Sequence, residues 1–105
     1  MQMQKQEIIN ISPFTYKGFN EPEEVFKDLW SFKNYPVVET VWVKAKQIVD
    51  KAQELYTDNK FFLINGHCFM LAAVTQELLD RGLEPIYPYV NNKQLSGIVR
   101  VFELS

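Results

Sequence analysis

The chain has 105 residues and a formal net charge of −2 at pH 7, with 47% hydrophobic and 23% charged residues, which predicts one domain with a modest core and excludes disordered and fibrous classes. Its 11 Lys and Arg are scattered without a basic stripe, so duplex or single-stranded nucleic acid is not the expected partner. One cysteine forms no internal disulfide, and without a membrane-length apolar run or a signal-peptide h-region the chain reads as a reduced, cytoplasmic protein.

Residues 7–11 (Glu7, Ile8, Ile9, Asn10, Ile11) predict a first strand, ended by Ser12 and Pro13. A loop over 14–20 contains Gly18. Asn20 then reads as an N-cap, with Pro22 in the first turn and Glu21, Glu23 and Glu24 where a helix dipole favours acids. Val25, Phe26, Leu29 and Trp30 continue that helix to about 32. After a break at Pro36, the positions Val41, Ala45, Ile48, Val49, Ala52, Leu55 and Tyr56 trace one face of a long helix over 38–56, with Lys44, Lys46, Gln47, Asp50, Lys51 and Glu54 opposite. Trp30, Tyr35 and Trp42 flank the break and belong to core or interface.

Phe61, Phe62, Leu63 and Ile64 form an apolar run of buried-strand length. Asn65, Gly66, His67 and Cys68 interrupt it, and a helix follows over 69–79. The first half of that helix, Phe69 to Val74, has almost no polar face. It therefore needs cover from the sheet and from either another helix or a second subunit. Arg81 and Gly82 stop it, a strand follows over 83–90, residues 91–95 form a loop, and the β-branched segment 96–104 returns as the last strand. The pattern β-α-α-β-α-β-β predicts an α/β fold: a three-layer sandwich whose mainly parallel sheet ends in an antiparallel C-terminal edge strand, with right-handed crossovers.

The turn 65–68 lies at the carboxyl end of its strand and at a helix N-terminus. Open α/β sheets bind ligands at such ends, and helix N-termini attract anions. It holds the only histidine and the only cysteine of the chain. His67 admits two readings: a general acid or base, or a residue that caps the helix or bonds a neighbouring loop. Cys68 is read first as a small buried apolar side chain and second as a nucleophile beside His67, in a hydrolase or transferase lacking the Gly-x-Ser-x-Gly elbow. Gly66 reads as a positive-φ position or a close ligand approach, with neither a dinucleotide fingerprint nor a P-loop around it. Ser12, Pro13 and Thr15 follow the first strand, and Tyr89, Asn91 and Asn92 follow the third. With parallel strands they are expected on one edge with Gly66 and His67, able to bond or stack on a base or ribose. No metal-ligand spacing is present, and Glu21, Glu23 and Glu24 read as a solvated first turn.

These residues carry a resemblance. Ile64, Asn65, Gly66 and His67, the apolar helix, the run Gly82, Leu83, Glu84, Pro85, Ile86, Tyr87, Pro88 and the closing Val99, Arg100, Val101, Phe102 resemble the small stand-alone CRISPR-associated proteins of the Rossmann-like CARF type, the ring-nuclease-like members above all. The first strand and its loop, Ile9, Asn10, Ile11, Ser12, Pro13 and Phe14, match more loosely. The resemblance implies a homodimer binding cyclic oligoadenylate across its two-fold axis, without a cofactor. It also implies metal-independent cleavage by in-line attack of a ribose 2′-hydroxyl, with positioning and charge stabilisation dominant. Carried over, Ser12 and His67 stand at the catalytic positions, and Pro13, Phe14, Thr15, Asn65, Gly66, Cys68, Tyr89, Asn91, Asn92 and Lys93 around the ligand. The chain departs from the family at His67, where members often carry Asp, Arg or another polar residue. It departs again at Asn91, Asn92 and Lys93, where members carry more basic residues. The competing expectation is a non-catalytic α/β regulatory or assembly module that dimerises through its apolar third helix.

Overall fold

A computed structural model describes residues 7–92 and 94–100. The elements run β1 (Ile8–Asn10), α1 (Glu24–Trp30), α2 (Val38–Leu55), β2 (Phe61–Leu63), α3 (Cys68–Asp80), β3 (Glu84–Asn91) and β4 (Gln94–Arg100). The four strands form one sheet in the order β1-β2-β3-β4. β1 pairs parallel with β2, β2 parallel with β3, and β3 antiparallel with β4. This is the mixed α/β fold the sequence predicts, with its antiparallel pair at the C-terminal edge.

Two consecutive crossovers of one hand, stepping the same way across the sheet, leave their helices on the same face. The buried side chains follow that rule. Phe26 and Trp30 of α1, Val41, Ala45, Ile48, Val49 and Ala52 of α2, and Met70, Ala73, Val74 and Leu78 of α3 share one core with Phe62 and Ile64. The other face presents Ile8, Leu63 and Ile86 under Tyr16, Phe19 and Ile98. Alternation along β2 sends Phe62 to the helices and Leu63 to the far side, as a strand of period two must. The third layer is therefore the 14–20 loop, whose Tyr16 and Phe19 cover the sheet where helices would otherwise stand.

Local details differ from the sequence reading. Asn20 is not a helix cap: α1 starts four residues later with Glu23 at the N-cap, because the Asn20 side chain is engaged with β1. Leu55, expected on the buried face of α2, is 43% exposed at the last residue of the helix. The expected loop over 91–95 is mostly strand, since Asn91 pairs with Gln94 and leaves two residues between. Asn92 there takes φ 53°, the left-handed conformation that asparagine tolerates in tight hairpins. The expected continuation of the last strand over 101–104 lies outside the described residues. Among the described residues, no helix is long and apolar enough to cross a membrane.

Candidate functional site

Asn10 organises the loop after β1. Fully buried, it donates its side-chain amide to the Phe14 carbonyl at 2.8 Å, and its Oδ1 accepts from the Ser12 N–H at 3.0 Å and the Ser12 hydroxyl at 2.7 Å. Ser12 Oγ in turn accepts the Phe14 N–H at 3.2 Å. Asn20 closes the loop from its far end: its Oδ1 accepts the Asn10 N–H at 2.6 Å, and its Nδ2 donates to the Asn10 carbonyl at 3.1 Å. The Asn20 amide thus stands in for a neighbouring strand on the exposed side of β1. These bonds curl the backbone so that Pro13 and the half-exposed ring of Phe14 face outward at the carboxyl end of the sheet.

The turn after β2 meets that loop. Asn65 Nδ2 donates to the Tyr16 hydroxyl at 2.7 Å, and Asn65 Oδ1 accepts the Gly66 N–H at 2.9 Å. Trp30 of α1 lies beneath both segments, its indole N–H donating to the Ile11 carbonyl at 2.7 Å. Gly66 has φ 152°, and a Cβ there would lie 2.7 Å from Trp30 Cε3. Glycine is required at this position both by the backbone conformation and by the indole packed against it.

A cleft of about 430 Å³ results, lined by Pro13, Phe14, Lys27, Trp30, Ser31, Asn65, Gly66 and His67. The sequence reading anticipated Pro13, Phe14, Asn65, Gly66 and His67. It did not place Lys27, Trp30 and Ser31 there, although their spacing of i, i+3 and i+4 sets them on one face of α1. What joins that face to the two strand ends is a pair of tertiary contacts of Trp30, with the Ile11 carbonyl after β1 and with Gly66 after β2.

Lys27 is the cation of the cleft. Its ammonium is 3.4 Å from both Glu21 Oε1 and Glu24 Oε1. Hydrogen bonding to Glu21, and then to Glu24, raises its pKa above the usual lysine value. It is therefore charged throughout the neutral range. His67 is the N-cap residue of α3, but its side chain makes no cap bond; its ring is exposed and stacks on Phe69 with centroids 5.3 Å apart and planes 4° apart. Among the described residues, no buried side-chain nitrogen or oxygen lacks a hydrogen-bond partner, so ligand recognition falls to the exposed groups of the cleft.

The other expected site residues lie elsewhere. Ser12 is fully buried behind Pro13, with its hydroxyl engaged in the Asn10 turn, so it does not reach the cleft. Thr15 donates to the Glu21 carboxylate at 3.0 Å and faces a separate 690 Å³ hollow shared with Tyr16, Lys17, Gly18, Val90, Gln94 and Leu95. Cys68, the first residue of α3, is exposed rather than buried, and it does not line the cleft. Tyr89, Asn91 and Asn92 do not gather with Gly66 and His67. β3 pairs with β2 only over residues 84–86 and then runs five residues further, carrying its tip about 16 Å past the sheet edge at ~3.3 Å per residue. Lys93 lies outside the described residues. No group of three or more His, Cys, Asp or Glu side chains among the described residues is arranged to hold a metal ion.

Comparison with family models, with curated proteins and with solved structures gives no significant match to this chain.

Proposed function

We propose that the cleft between the β1 loop, α1 and the β2–α3 turn binds a nucleotide phosphate, and that its ligand is cyclic oligoadenylate. One observation carries the reading: an exposed aromatic ring, a lysine held charged and a histidine on a glycine turn converge in a single 430 Å³ cleft. Such a volume accommodates one nucleotide unit, within the ~300–1,000 Å³ of small-molecule sites. Phe14 supplies a face for the base, worth about 1–3 kcal/mol per stacked base where this has been tested by truncation. Lys27, drawn from its carboxylate partners Glu21 and Glu24, supplies the point charge for a phosphate. The likeness of the β2–α3 turn to CARF proteins supports a cyclic ligand over a linear one.

Binding is the function proposed; cleavage, where it accompanies binding, runs through His67. In that step the 2′-oxygen of one ribose attacks the adjacent phosphorus, and the bond from phosphorus to the 5′-oxygen breaks. The products are a 2′,3′-cyclic phosphate and a 5′-hydroxyl. The imidazole takes the 2′ proton, solvent water protonates the departing 5′-oxygen, and Lys27 steadies the phosphate oxygens. Ser12 has no part in it.

The test is incubation with cyclic tri-, tetra- and hexa-adenylate in EDTA, following the melting temperature and the products by chromatography. A ligand specific for the native state raises the melting temperature by mass action. Lys27→Met should weaken binding roughly 10-fold or more, as expected for loss of a charge-assisted contact to phosphate. His67→Ala should keep binding and lower any turnover by about a hundredfold or more. Absence of a thermal shift with all three rings would overturn the reading.

A further inference from the structure

We infer that a second hollow, which shares Ser31 with the cleft as a common wall, takes the next nucleotide unit of the same ligand, with Lys44 on its phosphate and Tyr35 stacked on its base. The inference rests on the nucleotide reading of the cleft and extends it from one unit to two. The hollow measures about 530 Å³, a small-molecule size in its own right, and Ser31 lines both spaces. Ser31 follows α1 as its C-cap with extended backbone, φ −96° and ψ 155°. Trp30 before it is buried and Phe32 after it is half-buried, while Ser31 itself is exposed at the boundary of the two spaces.

The second hollow repeats the chemistry of the first, a held cation beside an open aromatic ring. Lys44, half-buried on α2, donates to the Ser31 carbonyl and lies over the Phe32 ring, 4.4 Å from its centroid. These two contacts hold the ammonium at the shared wall, so a ligand does not have to immobilise a free lysine chain. An ammonium has three donors, and with one spent on the Ser31 carbonyl the others are left for phosphate oxygens. Lys33 lines the same hollow, and Asp28 is the carboxylate among its lining residues. Two lysines against one carboxylate favour an anion.

Tyr35 supplies the aromatic face. Its side chain lines the hollow and is 91% exposed. A ring so open adds little to the stability of the fold and is free to stack on a base of any kind. Phe14 and Lys27 in the cleft, and Tyr35 and Lys44 in the hollow, thus form two ring-and-cation pairs on either side of Ser31. A ligand of two nucleotide units is short enough to need no basic stripe along the chain.

Calorimetric titration of the full chain with adenosine monophosphate and with linear 5′-phosphorylated diadenylate tests the extension. The diadenylate should bind at least about tenfold more tightly, the gain expected from one further stacked base. Tyr35→Ala, which alters a side chain outside the core, and Lys44→Met should each remove about tenfold from diadenylate binding and leave the monophosphate unchanged. Lys46→Gln, an exposed lysine of α2 that does not line the hollow, should change neither, which separates a local contact from net charge. Lys27→Met should weaken both ligands. Equal affinities for the two ligands, or a loss in Tyr35→Ala and Lys44→Met that is the same for both, would overturn the second unit and leave the cleft reading standing. Failure of both linear ligands to bind would also overturn the second unit, and the thermal shift with the cyclic rings then decides the cleft reading separately.

Discussion

At the scale of single residues, Gly66 is the position where backbone and packing constraints coincide. Its φ of 152° and the Trp30 ring within 2.7 Å of a built Cβ make alanine doubly unfavourable. Gly66→Ala should cost about 1–3 kcal/mol in urea unfolding, the range for strained backbone positions, and should distort the cleft with the fold intact. A glycine between a strand and a helix is readable from sequence as a turn; the indole that excludes a methyl group is not, because Trp30 lies 36 residues away. Lys27 illustrates the same limit. Nothing in a lone lysine on a short amphipathic helix distinguishes it from a solvated one. It becomes a site residue because α1 is pinned across the ends of β1 and β2. Conversely, Ser12 had the right type and place in the sequence, yet the Asn10 turn buries it.

At the scale of elements, β1 owes its standing as an edge strand to Asn20. The Asn20 amide satisfies both the N–H and the C=O of Asn10 on the side that no strand covers. Asn20→Ala leaves both groups buried without partners, at about 1–3 kcal/mol each unless water enters. The expected result is faster hydrogen exchange at the Asn10 amide and a loosened 14–20 loop, read by NMR. At the opposite edge, Nε and Nη2 of Arg100 donate to the Glu84 carboxylate at 2.5 and 2.8 Å, fixing the register of β4 on β3. Helix α2 was legible up to its last turn, since Val41, Ala45, Ile48, Val49 and Ala52 are buried at the helical period while Leu55 is exposed. Helix α3 was legible as a helix with too much apolar surface for one face. Its partner within the chain proves to be α2, joined further by Arg81, which bonds Asp50 and Gln53 of α2 and Glu77 of α3. Phe69 and Ala72 remain outside that cover.

At the scale of the whole molecule, Tyr56 at the end of α2 makes stability fall in alkali. Its partial burial, and secondarily the carboxylate of Glu23, hold its pKa above the ordinary value of 10.0. Folding thus favours the neutral phenol: the contribution is fully present below pH 10 and is lost as pH rises through the raised folded value. Lys27, with its pKa also raised, adds to the same loss above its ordinary value of 10.5. Urea midpoints should therefore decline above pH 10, and Tyr56→Phe should flatten part of that decline. A slope unchanged by the substitution would assign the loss to other groups. By itself the sequence determined the class of fold, the order of elements and the glycine turn at the carboxyl end of β2, because these rest on periodicity and turn chemistry acting over a few residues. Only the tertiary structure decided that all three helices share one face, that β3 carries Tyr89 and Asn91 away from the cleft, and that Lys27 and Trp30 complete it. Those outcomes depend on the direction of successive crossovers, the relative lengths of paired strands and one indole packed against one glycine, none of which a local pattern encodes.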